Sequence, residues 1–113
     1  MAKIAAIGAQ DSILVFTSMG IEVFPVQNEQ EALQEATRLV KLVKEEKDQY
    51  AIIFMTDDLA EKIDKPLEQL KRSISFLPII IIIPSHKGSL GFAALKIREM
   101  VKKALGADIL VSE

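Results

Sequence analysis

Residues 77–84 have the sequence LPIIIIIP, in which five consecutive isoleucines, Ile79–Ile83, stand between two prolines. A short apolar run of this kind is typical of a β-strand in a parallel sheet that is covered by helices on both sides. Half of all residues in the chain are hydrophobic, which favours the same arrangement. The run therefore predicts the fourth strand of an α/β sheet, with both of its faces covered.

Three other short apolar runs precede this strand: KIAAI at 3–7, IEVFPV at 21–26 and YAIIFM at 50–55. Helical patterns separate the runs, and this alternation of strands and helices predicts a parallel sheet. In the second run Glu22 interrupts the apolar pattern and Pro25 lacks an amide donor, so both residues favour an edge strand. With right-handed crossovers we predict the strand order 2-1-3-4, with the first and last helices on one face and the middle helices on the other.

Capping residues and glycines predict where the helices begin and end. Asp11 and Ser12 are N-cap types at the start of a short helix that Gly20 ends. Asn28, followed three residues later by Glu31, predicts a capping box at the start of a helix that runs to about residue 47. Later helices are predicted from Thr56, Asp57 and Asp58, with a restart at Pro66, and from Gly91 to about Leu105. We predict one Rossmann-like or receiver-like domain over 1–113, with a core at 3–105 and a short tail at 106–113.

Composition excludes several classes of protein. The chain has no cysteine, so disulfides and thiolate metal sites are excluded. Its 14 basic and 16 acidic residues give a net charge of −2, which favours neither nucleic acid nor an anionic membrane as a partner. The apolar runs are far shorter than the roughly 20 residues that span a bilayer. The N-terminus lacks the pattern of a signal peptide. We expect a protein that does not insert into a membrane by itself.

The residues that could carry chemistry fit no complete catalytic constellation. Gly8 follows the first strand as in nucleotide-binding folds, but the further glycines of those motifs are missing, so we interpret it as a tight turn. Asp57 and Asp58 end the third strand where a receiver domain has its phosphorylated aspartate, with Asp11 and Lys87 as partners. We interpret Thr56, Asp57 and Asp58 as helix-capping residues instead. No catalytic residue, metal site or cofactor is predicted.

Two groups of residues at the end of the chain are candidates for contact with a partner. The loop after the fourth strand contains the only histidine and could hold an anion at a helix start, although a structural or partner-contacting loop is our first interpretation. Its candidate residues are Ser85, His86, Lys87 and Ser89. In the last helix a stripe can face the sheet, formed by Ala93, Ala94, Ile97, Val101 and Ala104. The last helix and tail carry further apolar side chains outside this stripe, which fit an interaction surface and equally fit a helix that rolls or a tail that folds back. These are Phe92, Leu95, Ile109, Leu110 and Val111.

Three segments in order resemble one known family, the F subunits of V/A-type rotary ATPases. They are KIAAIGAQDSILVFTSMGIEVFPV at 3–26, YAIIFMTDDLAEKI at 50–63, and LPIIIIIPSHKGSLG at 77–91 with IREMVKKALGADIL at 97–110. The matching positions in the first segment are Ile7, Gly8, Asp11, Ser12, Phe16, Gly20, Ile21 and Val23. Each motif alone is weak, but three in order in a chain of this length are specific.

This resemblance implies a non-catalytic component of a central rotor stalk, bound to the coiled coil of the D subunit. It also implies contacts with the ring of catalytic and regulatory subunits and with the rotor socket subunit. The chain would be cytoplasmic, held at the membrane periphery by the complex, and would take part in coupling ATP hydrolysis or synthesis to H⁺ or Na⁺ transport. The alternatives from other classes are a receiver-like signalling domain and a small-ligand-binding α/β module.

Overall fold

A computed structural model describes residues 2–85 and Val101. Four strands form one sheet in which every pairing is parallel, in the order β2-β1-β3-β4. The strands are β1 (Lys3–Gly8), β2 (Glu22–Pro25), β3 (Tyr50–Thr56) and β4 (Ile79–Ile83). The strand order predicted from the alternation of elements is confirmed, and β2 lies at an edge as Glu22 and Pro25 indicated.

Helices connect the strands on both faces of the sheet. Four α-helices are described, namely α1 (Gln10–Ile13), α2 (Glu29–Lys44), α3 (Asp57–Ala60) and α4 (Asp64–Arg72). A 3₁₀ helix, Leu14–Met19, continues α1, and another, Glu61–Ile63, joins α3 to α4. Pro66 lies in the first turn of α4, where its missing amide donor costs no helical hydrogen bond. Within the described residues, no helix combines the length and apolarity needed to cross a membrane.

Two apolar cores lie on the two faces of the sheet. The larger, called the α2-side core, contains Ala5, Ile7, Ala32, Ala36, Leu39, Val40, Ile53, Met55, Leu59, Ile63, Leu67 and Ile80. The α1-side core contains Ile4, Ala6, Ile13, Phe16, Ile21, Ile52, Phe54 and Ile83. Val101 packs against the α1-side core, as the predicted sheet-facing stripe of the last helix requires. The other predicted members of that stripe lie outside the described residues.

Helix α2 begins with the predicted capping box in a slightly shifted form. The Asn28 side chain accepts a hydrogen bond from the Glu31 amide at 2.9 Å. The Glu31 carboxylate reaches back past Asn28 and accepts from the Gln27 amide at 3.0 Å. The helix ends at Lys44, three residues before the predicted end, because Glu46 adopts a left-handed conformation with φ of 58°. Because residues other than glycine rarely adopt that conformation, the sequence could not predict that the helix ends there.

The start of α1 differs from the prediction. Ala9, not Asp11 or Ser12, occupies the N-cap, and no side chain caps the helix. Asp11 instead lies in the first turn, where its negative charge suits the helix dipole, and Ser12 is buried. The predicted end is confirmed, since Gly20 follows the 3₁₀ helix in a left-handed conformation with φ of 77°. Its amide donates a hydrogen bond to the carbonyl oxygens of Phe16 and Thr17 in the preceding turn.

Strand β4 is covered less completely than its sequence suggested. Ile80 and Ile83 are buried, and Ile81 is half-buried. Ile79 is 51% exposed and Ile82 is 38% exposed. Among the described strands β4 is terminal and pairs with β3 alone, and a terminal strand has fewer neighbours to cover its side chains.

Candidate functional site

Most of the candidate contact residues lie outside the part of the chain that the structure describes. These are His86, Lys87, Ser89, Phe92, Leu95, Ile109, Leu110 and Val111. Ser85 is described and half-buried, directly after β4. The assignment of the whole set to partner contact therefore stays a prediction, and the sites that can be built from contacts lie elsewhere.

The carboxyl edge of the sheet is held together by hydrogen bonds and close packing. Asp57 Oδ1 accepts a hydrogen bond from the Ser85 amide at 3.1 Å, which joins the start of α3 to the end of β4. Asp58 Oδ1 accepts from the Leu59 amide at 3.0 Å. Of the two aspartates that a receiver domain would use, one therefore fixes the chain after β4 and the other the first turn of α3.

The point where β1 and β3 end side by side is where the connections leave the sheet in opposite directions. Open α/β sheets bind ligands at such a point, in the crevice beyond the strand ends. Here Gly8 lies against Ile13 and Thr56 so closely that an added Cβ would be 2.8 Å from Ile13 Cγ2 and 2.9 Å from Thr56 Cγ2. The side chains of Ile13 and Thr56 therefore occupy the space directly beside Gly8. Gly8 is needed for a close approach, not for a positive φ as a tight turn would require.

Thr56 adds a polar atom to this packed edge. Its side chain is 1% exposed, and its hydroxyl oxygen has no hydrogen-bond partner in the described structure. Thr56 occupies the N-cap of α3, as predicted, but its side chain makes no capping hydrogen bond. A separate point concerns metals: across residues 2–85 and 101, no three acidic or histidine side chains converge as a metal site would need.

A polar and aromatic network fastens edge strand β2 at the opposite end of the sheet. Lys3 Nζ lies 2.9 Å from Asp48 Oδ2 and 3.7 Å from Glu22 Oε2. The Tyr50 hydroxyl donates to Glu22 Oε1 at 3.2 Å, and Lys3 Nζ lies 5.2 Å from the centre of the Tyr50 ring. The rings of Phe24 and Tyr50 pack edge to face, with 6.4 Å between their centres. The network links β1, β2 and β3 through contacts between residues far apart in sequence.

The pKa shifts in this network follow from its contacts. The hydrogen bond to Asp48 raises the pKa of Lys3 above its ordinary value. The same bond from Lys3 lowers the pKa of Asp48. Burial raises the pKa of Tyr50, and the nearby Glu22 charge raises it further. All three shifts favour the protonation states that these groups have at neutral pH, namely charged Lys3 and Asp48 and a neutral Tyr50 hydroxyl.

A groove with a volume of about 720 Å³ lies beside this network, between the end of α2 and the segment before β4. Its lining includes Lys44, Glu46, Tyr50, Phe76 and Leu77. Phe76 projects from it with 85% of its surface exposed. Phe76 precedes β4 in a region where residues 73–85 carry no charged side chain. Sequence reasoning missed this apolar edge, although the long uncharged run was a signal for it.

The family model for the ATP synthase (F/14-kDa) subunit matches residues 4–101. The match includes β2, β3, β4 and all of β1 except Lys3, and it extends over most of the chain. The chain belongs to the ATP synthase F/14-kDa subunit family. The resemblance inferred from the three sequence segments is therefore confirmed at the level of the family.

Relatives within the ATP synthase F/14-kDa subunit family match the chain over nearly its whole length. The F subunit of the V-type ATP synthase of Clostridium botulinum is 36% identical over 96% of this chain and 97% of its own. The F subunit of the V-type ATP synthase of Fusobacterium nucleatum is 38% identical over 97% of both chains. The F subunit of the A-type ATP synthase of Thermococcus gammatolerans is 32% identical over 95% of this chain and 97% of its own.

Proposed function

We propose that this chain is the non-catalytic F subunit of the central stalk of a V/A-type rotary ATPase, where it binds the coiled coil of the D subunit. In that position it takes part in coupling ATP hydrolysis or synthesis to the transport of H⁺ or Na⁺. The observation that supports this most directly is the family match over residues 4–101, together with relatives covered over 95% or more of both chains.

The geometry of the carboxyl edge supports a role in assembly. The groups that could have formed a reaction centre are used in structural contacts: Asp57 bonds the Ser85 amide, and Gly8 packs on Thr56. These contacts use the carboxylate of Asp57 and the space beside Gly8 for packing within the chain. In this proposal ATP chemistry and ion translocation belong to other chains of the complex.

We assign the contact with the D subunit to the last helix and tail, through Phe92, Leu95, Ile109, Leu110 and Val111. The loop residues Ser85, His86, Lys87 and Ser89 form the second contact region of the proposal. Through these surfaces the chain also meets the ring of catalytic and regulatory subunits and the rotor socket. The complex then holds it at the cytoplasmic side of the membrane.

Co-expression with the D subunit of the same ATPase tests the proposal. We expect the two chains to purify together and to remain together through gel filtration. The double variant Phe92→Ala and Leu95→Ala, and a truncation after Asp108, should bind the D subunit more weakly, because loss of a buried apolar anchor commonly costs about 2 kcal/mol or more. Both variants should melt close to the wild type, since substitution of a solvated residue changes stability by no more than about 0.5 kcal/mol.

The matched control is Leu14→Ala, which removes an apolar side chain that is 59% exposed on the 3₁₀ helix after α1. It should leave both the melting temperature and the affinity for the D subunit unchanged. Failure of the wild-type chain to associate with the D subunit would refute the proposal. A collapse of the melting transition in the double variant would instead place Phe92 and Leu95 in the core.

A further inference from the structure

We draw no further inference here: the strongest candidate, the groove of about 720 Å³ beside the exposed Phe76 at the end of α2, is a surface for which nothing in the described part of the chain shows what covers it.

Discussion

The substitution Gly8→Ala tests the packing that fills the carboxyl edge of β1. The new methyl group would lie 2.8 Å from Ile13 Cγ2 and 2.9 Å from Thr56 Cγ2, whereas carbon atoms in contact prefer about 3.5–4.0 Å. Both neighbours are fully buried and branched at Cβ, so their side chains have little freedom to rotate away. Backbone or side-chain atoms must therefore move by about 0.6 Å or more in a close-packed interior.

The expected loss of stability is the difference between two effects. Overpacking of a core typically costs about 1–3 kcal/mol. Replacing glycine by alanine reduces the entropy of the unfolded chain and returns about 0.4–1 kcal/mol. We expect a net loss of about 1–2 kcal/mol in the free energy of unfolding. In a chain of 113 residues this lowers the melting temperature by about 4–8 °C.

A double-mutant cycle, followed by thermal and urea denaturation, assigns the cause. Thr56→Ser removes the Cγ2 atom that the new methyl group would meet, so Gly8→Ala should cost less in that background. Gly20→Ala is the comparison, because Gly20 has φ of 77° and no atom within 4 Å of an added Cβ. Its cost should come from the backbone and be independent of Thr56. A Gly8→Ala protein that melts at or above the wild-type temperature would refute the reasoning.

Three further substitutions each change the hydrogen-bonding of one side chain, and the effect of each on stability can be predicted. Asn28→Ala should lower the free energy of unfolding by about 1 kcal/mol, because it removes the side chain that accepts a hydrogen bond from the Glu31 amide. Gln34 is exposed on the same helix, and Gln34→Ala should cost far less when both variants are measured by urea denaturation. Thr56→Val should raise stability by about 1 kcal/mol, measured as a higher urea midpoint, because it replaces a buried hydroxyl that has no partner among the described residues. With Asp48→Asn, the free energy of unfolding should fall less steeply as the pH is lowered into the acid range. The hydrogen bond from Lys3 lowers the pKa of Asp48 in the folded state below 3.8. The contribution of Asp48 to stability is therefore present above that pH and disappears as the pH falls through the folded pKa. An acid profile identical to that of the wild type would contradict this assignment.

The sequence predicted the fold well because the strand signals were strong and local. Each apolar run became a strand, and alternation with helices determined a parallel sheet in the observed order. The helix boundaries that the prediction missed depend on backbone conformations that cannot be recognised from the type of side chain. Glu46 ends α2 in a left-handed conformation, and Ala9 caps α1 without a side-chain bond. Neither position has the residue type that usually marks such a state.

The candidate site was less accessible to sequence reasoning, because exposure depends on position in the sheet as well as on composition. Five isoleucines in a row predicted burial on both faces, and the terminal position of β4 leaves Ile79 and Ile82 partly exposed. The bond between Asp57 and the Ser85 amide joins residues 28 positions apart, so no local pattern could indicate it. The predicted contact residues after Ser85 await the experiments on the last helix and tail.

The packing at Gly8 also bears on where this fold binds. In an open α/β sheet, the carboxyl ends of the strands are the usual place for a ligand, because helix starts and loops converge there around an open crevice. Here the close approach of Gly8 to Ile13 and Thr56 turns the equivalent point into core, and Asp57 ties the end of β4 to α3. Among the described residues, three of the five large apolar side chains left exposed lie instead at the side of the sheet, namely Phe76, Ile79 and Ile82.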